Sequence, residues 1–332
     1  MPKAIRIHRT GGPEVLCYED VEVPPPGQGE VLLRHTAIGV NYADINLRGG
    51  AFYLYAPLPL PAILGNEGVG VVEAVGPGVT DFQAGDRVAY IAASGTTSSP
   101  GGYSEQRVID ARRLARIPHG VSDSQAAASF IKGLTAWAIV RRAYPIKQGD
   151  VVLVHAAAGG VGSFLAQWSK HLGATVIGTV GSADKAKVAR ENGCDHVILY
   201  REIDFVKEVR NLYPKGIAAV FDGVGRDTYL KSFDCLKTFG MVVNFGNASG
   251  PPELLDVRML SQKGSLFTTR VGMGHYIAEP ADLEEAAAEL FARIADGALR
   301  PNIERTYALK DAALAHSDIE ARKTTGSVIL IP

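Results

Sequence analysis

The chain has 332 residues, 46% of them hydrophobic and 21% charged, with a formal net charge of −1. That apolar content fills the cores of two ordinary domains and excludes intrinsic disorder as the main state. The near-neutral balance supplies no bulk attraction to nucleic acid or to an anionic membrane, and three widely spaced cysteines, Cys17, Cys194 and Cys235, form neither a disulfide framework nor a Cys-x-x-Cys knuckle.

Cysteines used this way point to a reducing compartment, the cytoplasm. Charges interrupt the N-terminal residues 1–8 every few positions, so they hold no signal-peptide core. Two long uncharged runs, 49–66 and 151–169, are broken by prolines in the first and by glycines and His155 in the second. Neither reads as a membrane helix.

In chain order, residues 30–38 alternate as a half-buried strand, 68–75 end at Gly76-Pro77-Gly78, and 86–92 follow Gly85. Strands this short and closely spaced predict an irregular, largely antiparallel β domain. The pattern changes at 122–144, an alanine-rich helix with Ser122 or Asp123 as its cap. Strand and helix then alternate: strands at 151–155, 174–180, 196–199, 218–222 and 241–245, helices at 160–172 and 183–192. Such alternation predicts a parallel sheet covered on both faces by helices. Residues 280–298 read as an amphipathic helix capped by Asp282, and 306–309 and 327–331 as strands that rejoin the first domain. The expected division is therefore 1–130 with 268–332 against an inserted 131–267. The Ser/Thr/Gly segment 94–102 reads as a loop.

The sharpest local signal is a buried strand running into Ala157-Ala158-Gly159-Gly160-Val161-Gly162 and then into a helix. It resembles the dinucleotide fingerprint G-x-G-x-x-G with Ala157 at the first glycine place, in the strand–turn–helix context that the motif requires. Gly159 lets backbone approach a pyrophosphate, the helix start favours an anion, and Gly162 allows close helix–strand packing. NAD sites place Asp or Glu at the end of the next strand, about 20 residues on. Here that end reads Gly178-Thr179-Val180-Gly181-Ser182, followed by Lys185, and no acid stands at the tip. A missing carboxylate removes repulsion from a 2′-phosphate and a lysine adds attraction, so the cofactor expected is NADPH. Asp184 falls inside the following helix start, where it serves the helix N-terminus.

Other chemistries lack their residues. The eight histidines form no His-Glu-x-x-His pair, and His155 on its apolar strand reads as a packed core residue. There is neither a G-x-S-x-G elbow nor a phosphate loop with its lysine.

Several segments in order carry a family resemblance: Gly11-Gly12-Pro13-Glu14-Val15-Leu16, Ile38-Gly39-Val40-Asn41 with Asp44, Ala84-Gly85-Asp86-Arg87-Val88, the run from His155 to Gly162, Gly178 to Ser182, Asp222-Gly223-Val224-Gly225, Phe245-Gly246-Asn247 and the closing Leu330-Ile331-Pro332. The chain resembles, over its full length, the zeta-crystallin-type quinone oxidoreductases of the medium-chain dehydrogenase/reductase superfamily, close to the bacterial NADPH:quinone reductases. Zinc-dependent relatives carry a cysteine where this chain has Asn41 and Gly-His-Glu where it has Gly65-Asn66-Glu67, and their four-cysteine lobe is missing. The resemblance is thus to the zinc-free branch, with no metal expected. It implies an α/β fold: a GroES-like β domain plus a doubly wound Rossmann domain.

The resemblance also implies roles. Asn41 faces the nicotinamide and the substrate as a catalytic residue, and Asp44, Asn46 and Thr135 join it in binding the cofactor. Gly159, Gly160 and Val161 offer backbone to the pyrophosphate. Gly181, Ser182, Lys185, Tyr200 and Arg322 surround the 2′-phosphate, and Gly223, Phe245, Gly246 and Asn247 line the nicotinamide half. Relatives often carry tyrosines near positions 46 and 52, where this chain has Asn46 and Phe52, so Tyr53 or a water is left as proton donor. The function implied is metal-free reduction of quinones by NADPH in a cleft between two domains of a homodimer. An enone or 2-alkenal reductase, or a largely non-catalytic NADPH-binding protein with an RNA-binding or structural role, is the alternative.

Overall fold

The computed structural model describes residues 1–50, 58–94, 97–98 and 101–332. Contacts divide the chain into two compact units: Met1–Leu134 with Met273–Gly297 and Pro301–Pro332, and Thr135–Gly272 with Ala298–Arg300.

The first unit is built on a seven-stranded sheet. Its order is Leu114–Arg116, Arg87–Ile91, Glu67–Val75, Glu30–Val40, Ser327–Ile331, Ile303–Ala308, with Gln106–Asp110 also paired to Glu30–Val40. Every pair is antiparallel except Ile303–Ala308 with Ser327–Ile331. The long strand Glu30–Val40 explains the mixed pattern of its sequence. Val31, Leu33 and His35 alternate inward, but from Ala37 onward every residue is buried. A smaller sheet, Cys17–Asp20, Lys3–Ile7 and Ala62–Ile63, shares with it a core of Ile5, Ile7, Ile38, Leu64, Val328 and Leu330. Each such side chain contributes about 1.5–3 kcal/mol on burial.

Helix Asp123–Trp137 starts with a reciprocal cap: the Gln125 amide donates to Ser122 Oγ at 3.2 Å and the Ser122 amide to Gln125 Oε1 at 3.0 Å. Helix Pro280–Ala295 corrects an expectation. Its N-cap is Glu279, with Pro280 opening the helix, and Asp282 stands in the first turn. Proline's fixed φ and missing amide set the start there.

The second unit holds a six-stranded sheet in the order His196–Leu199, Thr175–Val180, Val151–His155, Ile217–Asp222, Leu236–Asn244, Phe267–Arg270, with all pairs parallel. Its last strand crosses the expected boundary at 267/268. The order reverses direction between Val151–His155 and Ile217–Asp222, and since crossovers between parallel strands are as a rule right-handed, helices before and after the reversal belong to opposite faces. This is the doubly wound Rossmann arrangement. Buried on both faces, Val151–His155 reads as an apolar run. Among the described residues no helix is long and apolar enough to cross a membrane.

Candidate active site and nucleotide cradle

In the second unit the expected cofactor residues gather at the carboxyl ends of the parallel strands, where open α/β sheets bind ligands. Strand Val151–His155 leads through Ala156, in left-handed backbone at φ 53°, to Gly159, the N-cap of helix Gly160–His171. The opening amides of that helix, Gly160 and Val161 among them, have no intrahelical acceptor and face an anion's natural place. A Cβ on Gly162 would fall 2.2 Å from the Ala156 carbonyl oxygen, so only glycine keeps the turn this tight. Alanine at 157 has a matching accommodation: a Cβ on Gly178 in the next strand would lie 2.8 Å from the Ala157 methyl.

Strand Thr175–Val180 ends at Gly181 and Ser182 without a carboxylate at its tip. Ser182 caps helix Ala183–Glu191, its hydroxyl accepting from the Lys185 amide at 3.4 Å, and Asp184 lies in the first turn. Tyr200 lies over the same tip, since its hydroxyl would be 2.8 Å from a Cβ on Gly181. Sequence reasoning missed a neighbour there: Arg201, whose Nε would be 3.5 Å from that Cβ. Its only sequence signal is adjacency to Tyr200. Gly181, Ser182, Lys185 and Tyr200 thus lie about one strand tip that itself carries no carboxylate, with Asp184 inside the first helical turn beside them; hydroxyls and a lysine at such a tip fit a 2′-phosphate.

Gly223, Phe245, Gly246 and Asn247 also converge. A Cβ on Gly223 would meet the Phe245 ring at 2.6 Å, and one on Gly246 the Gly223 carbonyl oxygen at 2.6 Å. Asn247 Oδ1 accepts from Arg270 Nη1 at 3.0 Å. Beneath them, buried Asp222 Oδ1 takes the amides of Val224 at 2.7 Å and Gly225 at 3.1 Å and the Thr228 hydroxyl at 2.9 Å. His155 is buried with Nε2 3.1 Å from Ser232 Oγ and Nδ1 2.9 Å from Thr179 Oγ1. Ser232 Oγ donates to the Thr228 carbonyl, so Nε2 carries the histidine proton. Burial lowers this histidine's pKa. Thr135 is a buried residue of the second unit.

The other site residues belong to the first unit. Arg322 follows helix Ala312–Glu320 in left-handed backbone at φ 56° and is exposed. Asn46 is half-buried on helix Tyr42–Arg48. Phe52 and Tyr53 lie outside the described residues.

Asn41 is the N-cap of helix Tyr42–Arg48 and stands over a buried polar cluster. Its Nδ2 donates to Glu67 Oε1 at 2.8 Å, and Lys132 Nζ donates to the same oxygen at 3.2 Å. Glu67 Oε2 accepts the Ile131 amide at 2.8 Å. Asp44 is fully buried and accepts four bonds. Its Oδ2 takes the Asn41 amide at 2.8 Å and the Tyr103 hydroxyl at 3.1 Å; its Oδ1 takes the Asn66 amide at 3.0 Å and Asn66 Nδ2 at 2.7 Å. Burial pushes the Asp44 carboxyl up to about 7 even against these donors. The cluster continues through Tyr103 to His316 Nε2 at 2.9 Å, from His316 Nδ1 to Arg48 Nη1 at 3.1 Å, and from Arg48 Nη2 to Glu320 at 2.6 Å. Burial, and then Arg48, lowers His316 to about 3.

Asn41, Asn66 and Glu67 are thus neighbours in space, but they do not make a metal centre. Amides replace the soft and imidazole donors that zinc prefers, and an ammonium already stands beside the carboxylate. Among the described residues no group of three or more His, Cys, Asp or Glu is placed to hold a metal ion.

Residues 27–119 match the family described as alcohol dehydrogenase GroES-like domain, and residues 160–293 the one described as zinc-binding dehydrogenase. The chain is 45% identical over 333 residues to a quinone oxidoreductase of Pseudomonas aeruginosa, covering 100% of both. It is 41% identical over 337 residues to a 2-haloacrylate reductase of Burkholderia sp, covering 100% of this chain and 99% of the relative. The crystal structure of Escherichia coli quinone oxidoreductase complexed with NADPH superposes with a TM-score of 0.94 at 44% identity, covering 99% of this chain and 100% of that one.

Proposed function

Because the chain belongs to the quinone oxidoreductase family of the medium-chain dehydrogenase/reductase superfamily, we propose that it is an NADPH:quinone oxidoreductase that works without a metal. The observation that carries this reading is the cradle of the second unit: a turn in which Gly162 admits no Cβ, beside a strand tip that gathers Ser182, Lys185 and Tyr200 and offers no carboxylate. NADPH supplies the hydride when bound, and a quinone is electron-poor enough to accept it without a Lewis acid. Lys185 and Tyr200 hold the 2′-phosphate, joined by Arg322, and Gly160 and Val161 present amides to the pyrophosphate. Phe245, Gly246 and Asn247 line the nicotinamide half, and Asn41 orients what meets it. Catalysis is then mainly positioning, and the product takes its protons from water or from a hydroxyl such as that of Tyr53.

A second reading, reduction of an activated alkene, is favoured by the likeness to a 2-haloacrylate reductase; it uses the same hydride but needs a proton at the α-carbon. The cysteine usage, three widely spaced residues with no disulfide framework, supports a cytoplasmic protein. The edge at Phe267–Arg270, paired on one side only among the described residues, supports a homodimer.

The test is steady-state oxidation of NADPH against NADH with 1,4-benzoquinone, a naphthoquinone and a 2-alkenal, the parent beside Lys185→Ala. Quinone turnover preferring NADPH, with the Lys185→Ala loss mainly in KM, is the expected result. Preference for NADH overturns the cofactor reading, alkenal turnover alone favours the second reading, and tight NADPH binding with no turnover points to a binding protein.

A further inference from the structure

The cluster under Asn41 holds a buried cation of its own. Lys132 is 6% exposed and Glu67 0%, and Lys132 Nζ lies 3.2 Å from Glu67 Oε1. Burying an ion pair adds little to stability, since desolvation offsets the attraction. The fold nevertheless makes room for it: a Cβ on Gly39 would fall 2.5 Å from Glu67 Cδ. What the pair controls is the amide of Asn41, which donates to the same Glu67 oxygen at 2.8 Å. A carboxylate only accepts hydrogen bonds, whereas a carboxylic acid also donates. While Glu67 is ionised, the NH2 of Asn41 has to face it, and Oδ1, turned toward the Asp44 amide in the capping box of its helix, keeps a second lone pair for a donor elsewhere. Protonation of Glu67 would let the amide turn over and offer NH2 instead.

We infer that Lys132 is a positioning residue: it holds Glu67 as a carboxylate and thereby fixes which end of the Asn41 amide the site presents. The consequence for turnover rests on the reading of Asn41 as a group that meets the reacting end of the cofactor; the orientation itself does not. An acceptor at that place selects an N–H or O–H donor, such as a carboxamide or the hydroxyl of a reduced quinone.

The groups that face Glu67 are Lys132, Asp44, Tyr90 and Tyr103. Burial raises both tyrosines, which stay neutral, and pushes Asp44 up to about 7, so Asp44 is the neighbour whose own titration the test has to separate out.

The primary measurement is the 15N NMR signal of the Asn41 side-chain amide, assigned by its loss in Asn41→Asp, followed from pH 6 to 9. The variants are Lys132→Met, Lys132→Arg and the double variant Lys132→Met with Glu67→Gln, each checked for folding by its thermal melt. The expected result is a titrating amide in Lys132→Met, a parent-like one in Lys132→Arg, and a non-titrating one in the double variant. Kinetics with NADPH and 1,4-benzoquinone should follow: kcat of Lys132→Met falls about tenfold near pH 6 and recovers as pH rises, with KM for NADPH little changed. An Asn41 amide that ignores pH in Lys132→Met overturns the inference, as does a titration that survives in the double variant and so belongs to Asp44. If the amide titrates but even the parent reduces no quinone, the functional reading has failed and the positioning role stands. If Lys132→Met does not fold, Lys132→Gln, which also removes the charge, takes its place under the same criteria: an Asn41 amide that titrates supports the inference, and one that ignores pH at a parent-like melting temperature overturns it.

Discussion

The Tyr103 hydroxyl and His316 Nε2 stand 2.9 Å apart inside the first unit, and the proton between them has one permitted place. Arg48 Nη1 reaches His316 Nδ1 at 3.1 Å, and a guanidinium only donates. Nδ1 therefore accepts and Nε2 carries the hydrogen. Tyr103 accepts it and passes its own to Asp44 Oδ2 at 3.1 Å. The line links an arginine to a carboxylate through two neutral groups, and it joins the helices that carry Asp44 and His316.

Tyr103→Phe breaks this line in the middle. It leaves the His316 N–H without an acceptor and takes one of four donors from Asp44. Each loss leaves a buried polar group wanting, at about 1–3 kcal/mol. The expected result in urea unfolding is a loss of about 2–4 kcal/mol with an unchanged m-value. An effect below about half a kcal/mol would mean that the line is not buried in solution.

Buried histidines make stability depend on acid. Burial, with Arg107 adding to it, lowers His35 to about 3, and burial with Arg48 lowers His316 to about 3, both from 6.5. His155 moves the same way. Between pH 6.5 and 3 the unfolded chain binds protons on these residues that the native chain refuses, so their contribution is present above pH 6.5 and is lost as pH falls. Asp44, raised from 3.8 to about 7, binds its proton in the native state and works in the opposite direction over that window. With three lowered histidines set against one raised carboxyl, the unfolded chain takes up more protons than the native one, so stability falls as pH drops below 6. Melting temperatures from pH 7 to 4.5 check this, and His316→Gln should flatten the slope. A melting temperature that stays level over that range contradicts the neutral buried imidazoles.

The parallel sheet was legible because its central strands are buried on both faces and stand between glycine turns. The strands Val151–His155, Thr175–Val180 and Ile217–Asp222 read as short apolar runs. The glycine turn and the acid-free strand tip were local signals of the same kind. Helix Tyr42–Arg48 was not legible, since it carries Asp44 and Arg48, charged residues that are buried because partners from distant segments satisfy them. Helix Ala312–Glu320 hides His316 for the same reason. The pairing of Glu67 with Lys132 spans 65 positions, and each looks alone like an interruption in an apolar run. Reading outward-facing charge from residue type fails where the charge is matched inside.

The turn before helix Gly160–His171 makes a sharp prediction. Gly162→Ala places a methyl 2.2 Å from the Ala156 oxygen, and backbone has to move. The helix start then shifts relative to strand Val151–His155, carrying the amides of Gly160 and Val161 with it. Affinity for NADPH, followed by quenching of protein fluorescence, should drop at least about tenfold, with a loss of about 1–3 kcal/mol in stability. Gly120→Ala, whose methyl would meet nothing nearer than 3.7 Å, is the control and should bind like the parent. Equal affinity in the two variants would show that the turn does not hold the pyrophosphate.

The last strand of the parallel sheet, Phe267–Arg270, pairs on one side only among the described residues. Phe267 on it is 56% exposed, and Phe239 on the neighbouring strand 67%. An open strand edge bearing aromatic side chains invites pairing, and soluble chains cover such an edge or charge it. No lysine or proline guards this one, and Arg270 is turned to Asn247. A second copy laid edge to edge about a twofold axis would cover both strands at once. Sedimentation equilibrium at micromolar protein should give a dimer for the parent, and Phe267→Asp should shift it toward monomer by placing like charges across the axis. Since Gly160, Ser182 and Lys185 sit at other strand ends, NADPH binding by the Phe267→Asp monomer should persist. A monomeric parent would refute the assembly, and a dimeric Phe267→Asp would move the interface away from this edge.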